Sequence, residues 1–150
     1  MEINFEYKFK DKVDLGTRVR AILGVPEEFL DNETISSPVF LVKASKYVNK
    51  HISEVDEDIE IDEDLLGISF IYYICYSLCV GMYARLPKQM ENLSTKTILQ
   101  NIDWDKKAIE MLNACNDIIE NALEDVGEEV SLGNTFAVLS DASEYPNTLI

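Results

Sequence analysis

Residues 65 to 86 read LLGISFIYYICYSLCVGMYARL, and from Leu65 through Ala84 no side chain is charged. As a helix rising ~1.5 Å per residue, this run is about 33 Å long, enough to cross a small domain or the hydrocarbon layer of a bilayer. A membrane span and a buried central helix therefore compete. The flanks suit a span, with acidic residues before the run and Arg85 and Lys88 after it. The mid-run residues suit burial in protein. Tyr72, Tyr73 and Tyr76, with Ser69 and Ser77, carry polar tips that need protein partners, and membrane tyrosines favour the interfaces. The stretch reads as a helix apolar on all sides, covered by the other helices of the chain or by neighbouring subunits, with no membrane partner.

The remaining elements are amphipathic and fall on either side of it. Leu41, Ala44, Val48 and Ile52 recur at spacings of three and four, with Lys43, Lys46 and Lys50 on another face, which predicts a helix of about four turns. Its start is marked twice, by Asp31 or Asn32 and by Ser37 followed by Pro38. Trp104, Ala108, Met111, Leu112, Cys115, Ile118, Ile119, Ala122 and Leu123 predict the clearest helix, capped by Asp103 and ending at Gly127. Upstream, Ile3, Phe5, Tyr7 and Phe9 alternate with Asn4, Glu6 and Lys8, a period of two that predicts a strand. Asp14, Leu15 and Gly16 break it before a short helix from Thr17 to Leu23 that stops at Gly24. Residues 88–102 read as a long loop with a short strand around Thr97 to Gln100. The expected fold is mainly α: a small helical bundle with a central apolar helix, an N-terminal strand-like segment and an extended C-terminal tail. The bundle takes residues 1–127 and the tail 128–150.

The chain has 150 residues, 47% of them hydrophobic, and a formal charge of −15. That size and content fit one folded domain. The charge excludes nucleic-acid binding by phosphate neutralisation and disfavours anionic membrane surfaces. It is also uneven, since no Lys or Arg follows Lys107 while Glu110, Asp117, Glu120, Glu124, Asp125, Glu128, Glu129, Asp141 and Glu144 do. A carboxylate-lined passage lets DNA slide without sticking. No secretory signal is visible, and three cysteines in apolar helical contexts suggest no disulfide framework, so a reducing cytoplasm is the expected compartment.

Sites of chemistry are weakly marked. Residues 54–64, EVDEDIEIDED, hold eight acidic side chains in eleven positions. Asp56, Asp58, Glu60, Asp62 and Asp64 invite a calcium reading, but an EF-hand loop opening at Asp56 needs Gly and Glu where Ile61 and Gly67 stand. A solvated acidic loop is the better reading. Cys75, Cys79, Cys115 and His51 lack the tight spacing of zinc sites, and the cysteines read as small buried hydrophobes. His51 has no evident nucleophile and orienting carboxylate, and the chain carries no glycine-rich phosphate loop, HExxH or GxSxG. No enzyme activity, metal or cofactor is expected. Tyr72, Tyr73, Tyr76 and Tyr83, with Trp104, read as packing residues within or between subunits.

The order of pieces resembles the head-tail connector, or adaptor, proteins of long-tailed phages and prophages. The likeness spans roughly residues 19 to 126, judged against the helix-boundary signals above. Its carriers are the Ile22-Leu23-Gly24-Val25 segment, Asp31 followed by Ile35, the helix with Ala44 and Val48, the apolar helix ending Tyr83-Ala84-Arg85, the long loop and the closing amphipathic helix. The resemblance implies a non-catalytic virion protein in the neck between head and tail, present in the host cytoplasm during assembly. Such proteins form a homo-oligomeric ring under the portal protein, extend the DNA channel and dock a stopper or tail-completion protein. Tails in that family grip the portal, which would fall here to Phe136, Val138, Leu139 and Tyr145. The competing expectations are a soluble helical interaction module or regulator unrelated to virions, a single-span membrane protein and, last, an acidic metal-dependent hydrolase.

Overall fold

A computed structural model describes residues 2–56, 58–84, 99 and 101–123 of the chain. Among them are six helices: α1 Phe5–Lys8, α2 Lys12–Leu23, α3 Asn32–Ile35, α4 Pro38–Ser53, α5 Glu63–Val80 and α6 Trp104–Ala122. The protein is a mainly helical bundle, as its patterning predicts. The C-terminal tail lies outside the described residues, as do most of residues 88–102 with their expected short strand.

Local chemistry sets the helix starts. Asp11 accepts from the N–H groups of Val13 and Asp14, Asp31 from Thr34, Asp62 from Asp64 and Leu65, and Asp103 from Lys106. Each satisfies amide groups that the first helical turn leaves without a partner. Both start signals before α4 are used. Asp31 opens the single-turn α3, and Ser37 with Pro38 opens α4. Gly24 ends α2 at φ 72°, where a side chain would be strained, and its N–H bonds the Arg20 carbonyl at 2.8 Å. Helix α5 closes at Val80 with Gly81 as its cap, whereas the run from Leu65 to Leu86 read as one helix.

Two expectations near the N-terminus are corrected. The alternating segment is helical at Phe5–Lys8, and no strand occurs among the described residues. As a strand it would point Ile3, Phe5, Tyr7 and Phe9 to one side. As a helical turn it brings Phe5 and Phe9 together, four residues apart, and turns Tyr7 outward. Both phenyl rings then stack on Phe70 of α5, with centroids 4.7 and 5.2 Å away. The pairing a strand would need is supplied by one amide: Asn49 Oδ1 accepts from Ile3 N–H at 2.9 Å, and its Nδ2 donates to Ile3 C=O at 3.0 Å. The second correction is that Asp14, Leu15 and Gly16 lie inside α2, which begins at Lys12. Gly16 is where α3 comes closest, because a Cβ there would collide with Asn32 Oδ1. That oxygen is held in place by Arg20 Nη1 at 2.8 Å.

Helix α5 is the axis. It packs most extensively on α6 and also against α4, α2 and α1. Helices α5 and α6 run antiparallel and are pinned at both ends, by Asp62 N–H on the Ala122 carbonyl at 3.2 Å and by Trp104 N–H on the Tyr83 hydroxyl at 3.0 Å. The core around α5 buries Leu66, Phe70, Ile74 and Leu78 with Phe5, Leu15, Val48 and Trp104, each such side chain contributing about 1.5–3 kcal/mol by leaving water.

Candidate interaction face

Half of the Glu63–Val80 run is buried within the chain. The covered side carries Leu66, Phe70, Ile71, Ile74, Cys75 and Leu78. The other side keeps no charged residue after Asp64 to make it water-compatible. Leu65, Tyr72 and Tyr76 fall along one line of the helix by their spacing and are half-buried, while Ile68 and Val80 remain 39% and 60% exposed. By length and composition alone α5 could also cross a membrane. Its covered side is instead the centre of the protein core.

The tyrosines divide into two groups. Tyr73 and Tyr76 have ring centroids 5.4 Å apart, and Tyr73 stacks on Tyr47 of α4 at 4.4 Å. The Tyr47 hydroxyl donates to Asn116 Oδ1 of α6 at 2.6 Å, so the cluster ties three helices together. Burial pushes the Tyr47 and Tyr73 phenols above their ordinary value. Tyr83 belongs to a corner at the far end. Its hydroxyl accepts from Trp104 N–H and donates to the Ile102 carbonyl at 3.3 Å. Trp104 is fully buried, its indole N–H donates to Leu99 C=O at 2.8 Å, and Lys107 Nζ lies 5.4 Å from its ring centre while donating to the Leu23 carbonyl. Tyr73 and Trp104 therefore serve packing within the chain. Tyr72 and Tyr76 lie on the half-open side.

Tyr47 and Asn116 were missed by the sequence reading, because Tyr47 borders the lysine-bearing side of α4 and Asn116 falls in the polar series of α6. The tilted pair Tyr47 and His51, four residues apart and 4.9 Å between ring centres, is the one signal that marks this side of α4.

The remaining candidates stay apart. His51 Nδ1 lies 2.9 Å from the Tyr47 carbonyl, which can only accept, so this nitrogen carries the proton and the ring is held along its own helix. Cys75, Cys79 and Cys115 are buried free thiols; burial pushes Cys79 up to about 11 and Cys115 up to about 12, and raises Cys75 as well. Asp56, Asp58 and Glu60 are exposed, while Asp62 serves as the α5 cap. Among the described residues no group of three His, Cys, Asp or Glu side chains is placed to hold a metal ion. A solvent-open depression of about 390 Å³ lies between Ile3, Tyr7, Lys8 and Glu63 without converging catalytic groups. Phe136, Val138, Leu139 and Tyr145 lie outside the described residues.

Comparison with protein families, with curated proteins and with solved structures finds no match to the chain.

Proposed function

We propose that this is a non-catalytic structural protein that works by assembly, a head-tail connector of the long-tailed phage type. Identical copies form a ring beneath the portal, extend the DNA channel and offer a docking surface to a stopper or tail-completion protein. The observation that supports assembly is the half-covered central helix, and the choice of a connector within that class rests on the resemblance in the order of the sequence elements. Exposed Ile68 and Val80, beside half-buried Leu65, Tyr72 and Tyr76, form an apolar and aromatic strip on the element that organises the core. Aromatic side chains combine large apolar area with a hydrogen-bonding tip, the composition that protein interfaces favour. The charge of −15 suits a conduit for DNA, which such a surface repels. In this assignment Phe136, Val138, Leu139 and Tyr145 of the tail grip the portal.

The same strip equally supports a second reading, a soluble helical module that binds a protein unrelated to virions. Native mass spectrometry and negative-stain imaging of the full chain, alone and with a portal protein of a long-tailed phage, separate the two. A closed ring or a portal complex is the expected result. A lone monomer or dimer at all concentrations that ignores the portal would overturn the connector reading.

A further inference from the structure

Helix α4 presents an outer face that nothing described in the subunit covers. Lys43, Lys46 and Lys50 are exposed along it, and Val39 and Val42 beside them are 58% and 40% exposed. The ion pairs of the described residues are Lys8–Asp64, Lys12–Glu33 and Arg18–Asp14. Arg20 and Lys107 are spent on carbonyl groups. In a chain of charge −15, three neighbouring lysines thus stand without a carboxylate partner among the described residues.

The complementary charge lies in the same chain. Residues 124–150 contain no Lys or Arg, and they begin with Glu124, Asp125, Glu128 and Glu129, followed by apolar Val130, Leu132 and Phe136. Helices α4 and α6 both run antiparallel to α5. The Tyr47–Asn116 bond sets them level, which places Ser53 and Ala122, each six residues further on, at one end of the bundle. Lys50 is within one turn of that end. Lys43 and Lys50 sit four residues before and three after Tyr47, on the side of α4 turned toward α6. The acidic loop ending at Asp62 occupies the same end and repels a segment leaving Leu123.

We propose that the C-terminal segment of each chain docks back onto the outer face of its own α4, its acidic start on Lys50, Lys46 and Lys43 and its apolar continuation on Val42 and Val39. The order of residues matches on both sides. Lys43 to Lys50 span about 10 Å of helix at ~1.5 Å per residue, while six extended residues at about 3.3 Å each reach roughly 20 Å, enough to leave α6 and cover the lysines. A tethered segment acts at a high effective concentration, so weak surface ion pairs and two half-exposed valines suffice for docking. The docked segment is then unavailable to an external partner until that partner displaces it. The inference is independent of the connector reading.

The test uses the full chain with Asn134→Cys, which a nitroxide reagent labels selectively because the native thiols are buried. Amide signals of residues 39–50 should broaden in the labelled, isotope-enriched protein. They should stay sharp when labelled unenriched protein is mixed with unlabelled enriched protein. Broadening should vanish in K43E/K46E/K50E, and also in ~1 M salt, where the screening length falls to about 3 Å. The salt arm keeps the lysines and does not depend on a variant folding. Absence of broadening on α4, broadening in the mixed sample, which would make a second copy the occupant, or broadening indifferent to both salt and lysine reversal would each overturn the proposal.

Discussion

Asn49 sits on the inner side of α4 with its carboxamide turned to Ile3, meeting both polar backbone groups of that residue at once. Asn49→Ala leaves a buried N–H and C=O unsatisfied, so it should lower stability by about 1–3 kcal/mol, read from the shift in urea midpoint, and loosen residues 2–9 toward proteolysis. Nothing in the sequence marks it: a buried amide on a helix looks the same as a surface one until its partner is known. Gly16 is hidden in the same way. Alanine is intrinsically about 1 kcal/mol better in a helix, yet Gly16→Ala should destabilise because Asn32 Oδ1 occupies the Cβ position and Arg20 holds it there. A higher melting temperature would contradict this packing. The caps at Asp11, Asp31, Asp62 and Asp103 are properties of a few adjacent residues; those at Asp31 and Asp103 were legible directly from the sequence. The thiols give a pH dependence with a definite sign. Folded Cys79 and Cys115 titrate at about 11 and 12, against an ordinary 9, so above pH 9 the unfolded chain releases protons that the folded one retains. Their contribution to stability is complete below pH 9 and falls as pH rises toward those values. Denaturation midpoints across pH 7–11 should be flat and then decline, and Cys115→Val should flatten the decline.

At the scale of elements, α5 has one side that folding covers and one side that the proposed association would use. Ile68 is on its open side, so Ile68→Glu should change stability by no more than about 0.5 kcal/mol while reducing self-association or partner binding in sedimentation. Tyr76 lies deeper and meets Tyr73, so Tyr76→Asp should lower both melting temperature and association. Equal association of Ile68→Glu and the parent would remove the strip from the interface. Helices α4 and α6 were readable because their apolar spacing persists over four to five turns, and α5 because its run without charge is too long for anything but a helix at the centre. The N-terminus was not, because four alternating residues fit a strand while Phe5 and Phe9 also fit one helical turn, and only contact with Phe70 decides. The start of α2 was obscured by Gly16, a poor helix former whose packing against α3 outweighs its local preference.

For the whole molecule, charge sets the terms of association. Copies bearing −15 each repel, so self-assembly should strengthen as salt rises from low to physiological levels, where the screening length shortens to about 8 Å. Docking of the C-terminal segment on α4 should weaken over the same range, and the opposite slopes let one titration followed by light scattering and amide spectra tell the two apart. If the chain is a connector as proposed, ending it after Gly127 should keep the helical circular dichroism of the bundle and reduce attachment to a portal; undiminished attachment would reassign the tail. Helix content and the central position of α5 were legible because they follow from composition and apolar spacing. How much of α5 stays open was not, since that depends on how α4 and α6 divide its circumference. The fastenings at the two ends of the α5–α6 pair lie outside residues 85–98, so the hairpin's alignment is indifferent to the length of what joins it. Insertions or deletions in that stretch should therefore leave the struts in register.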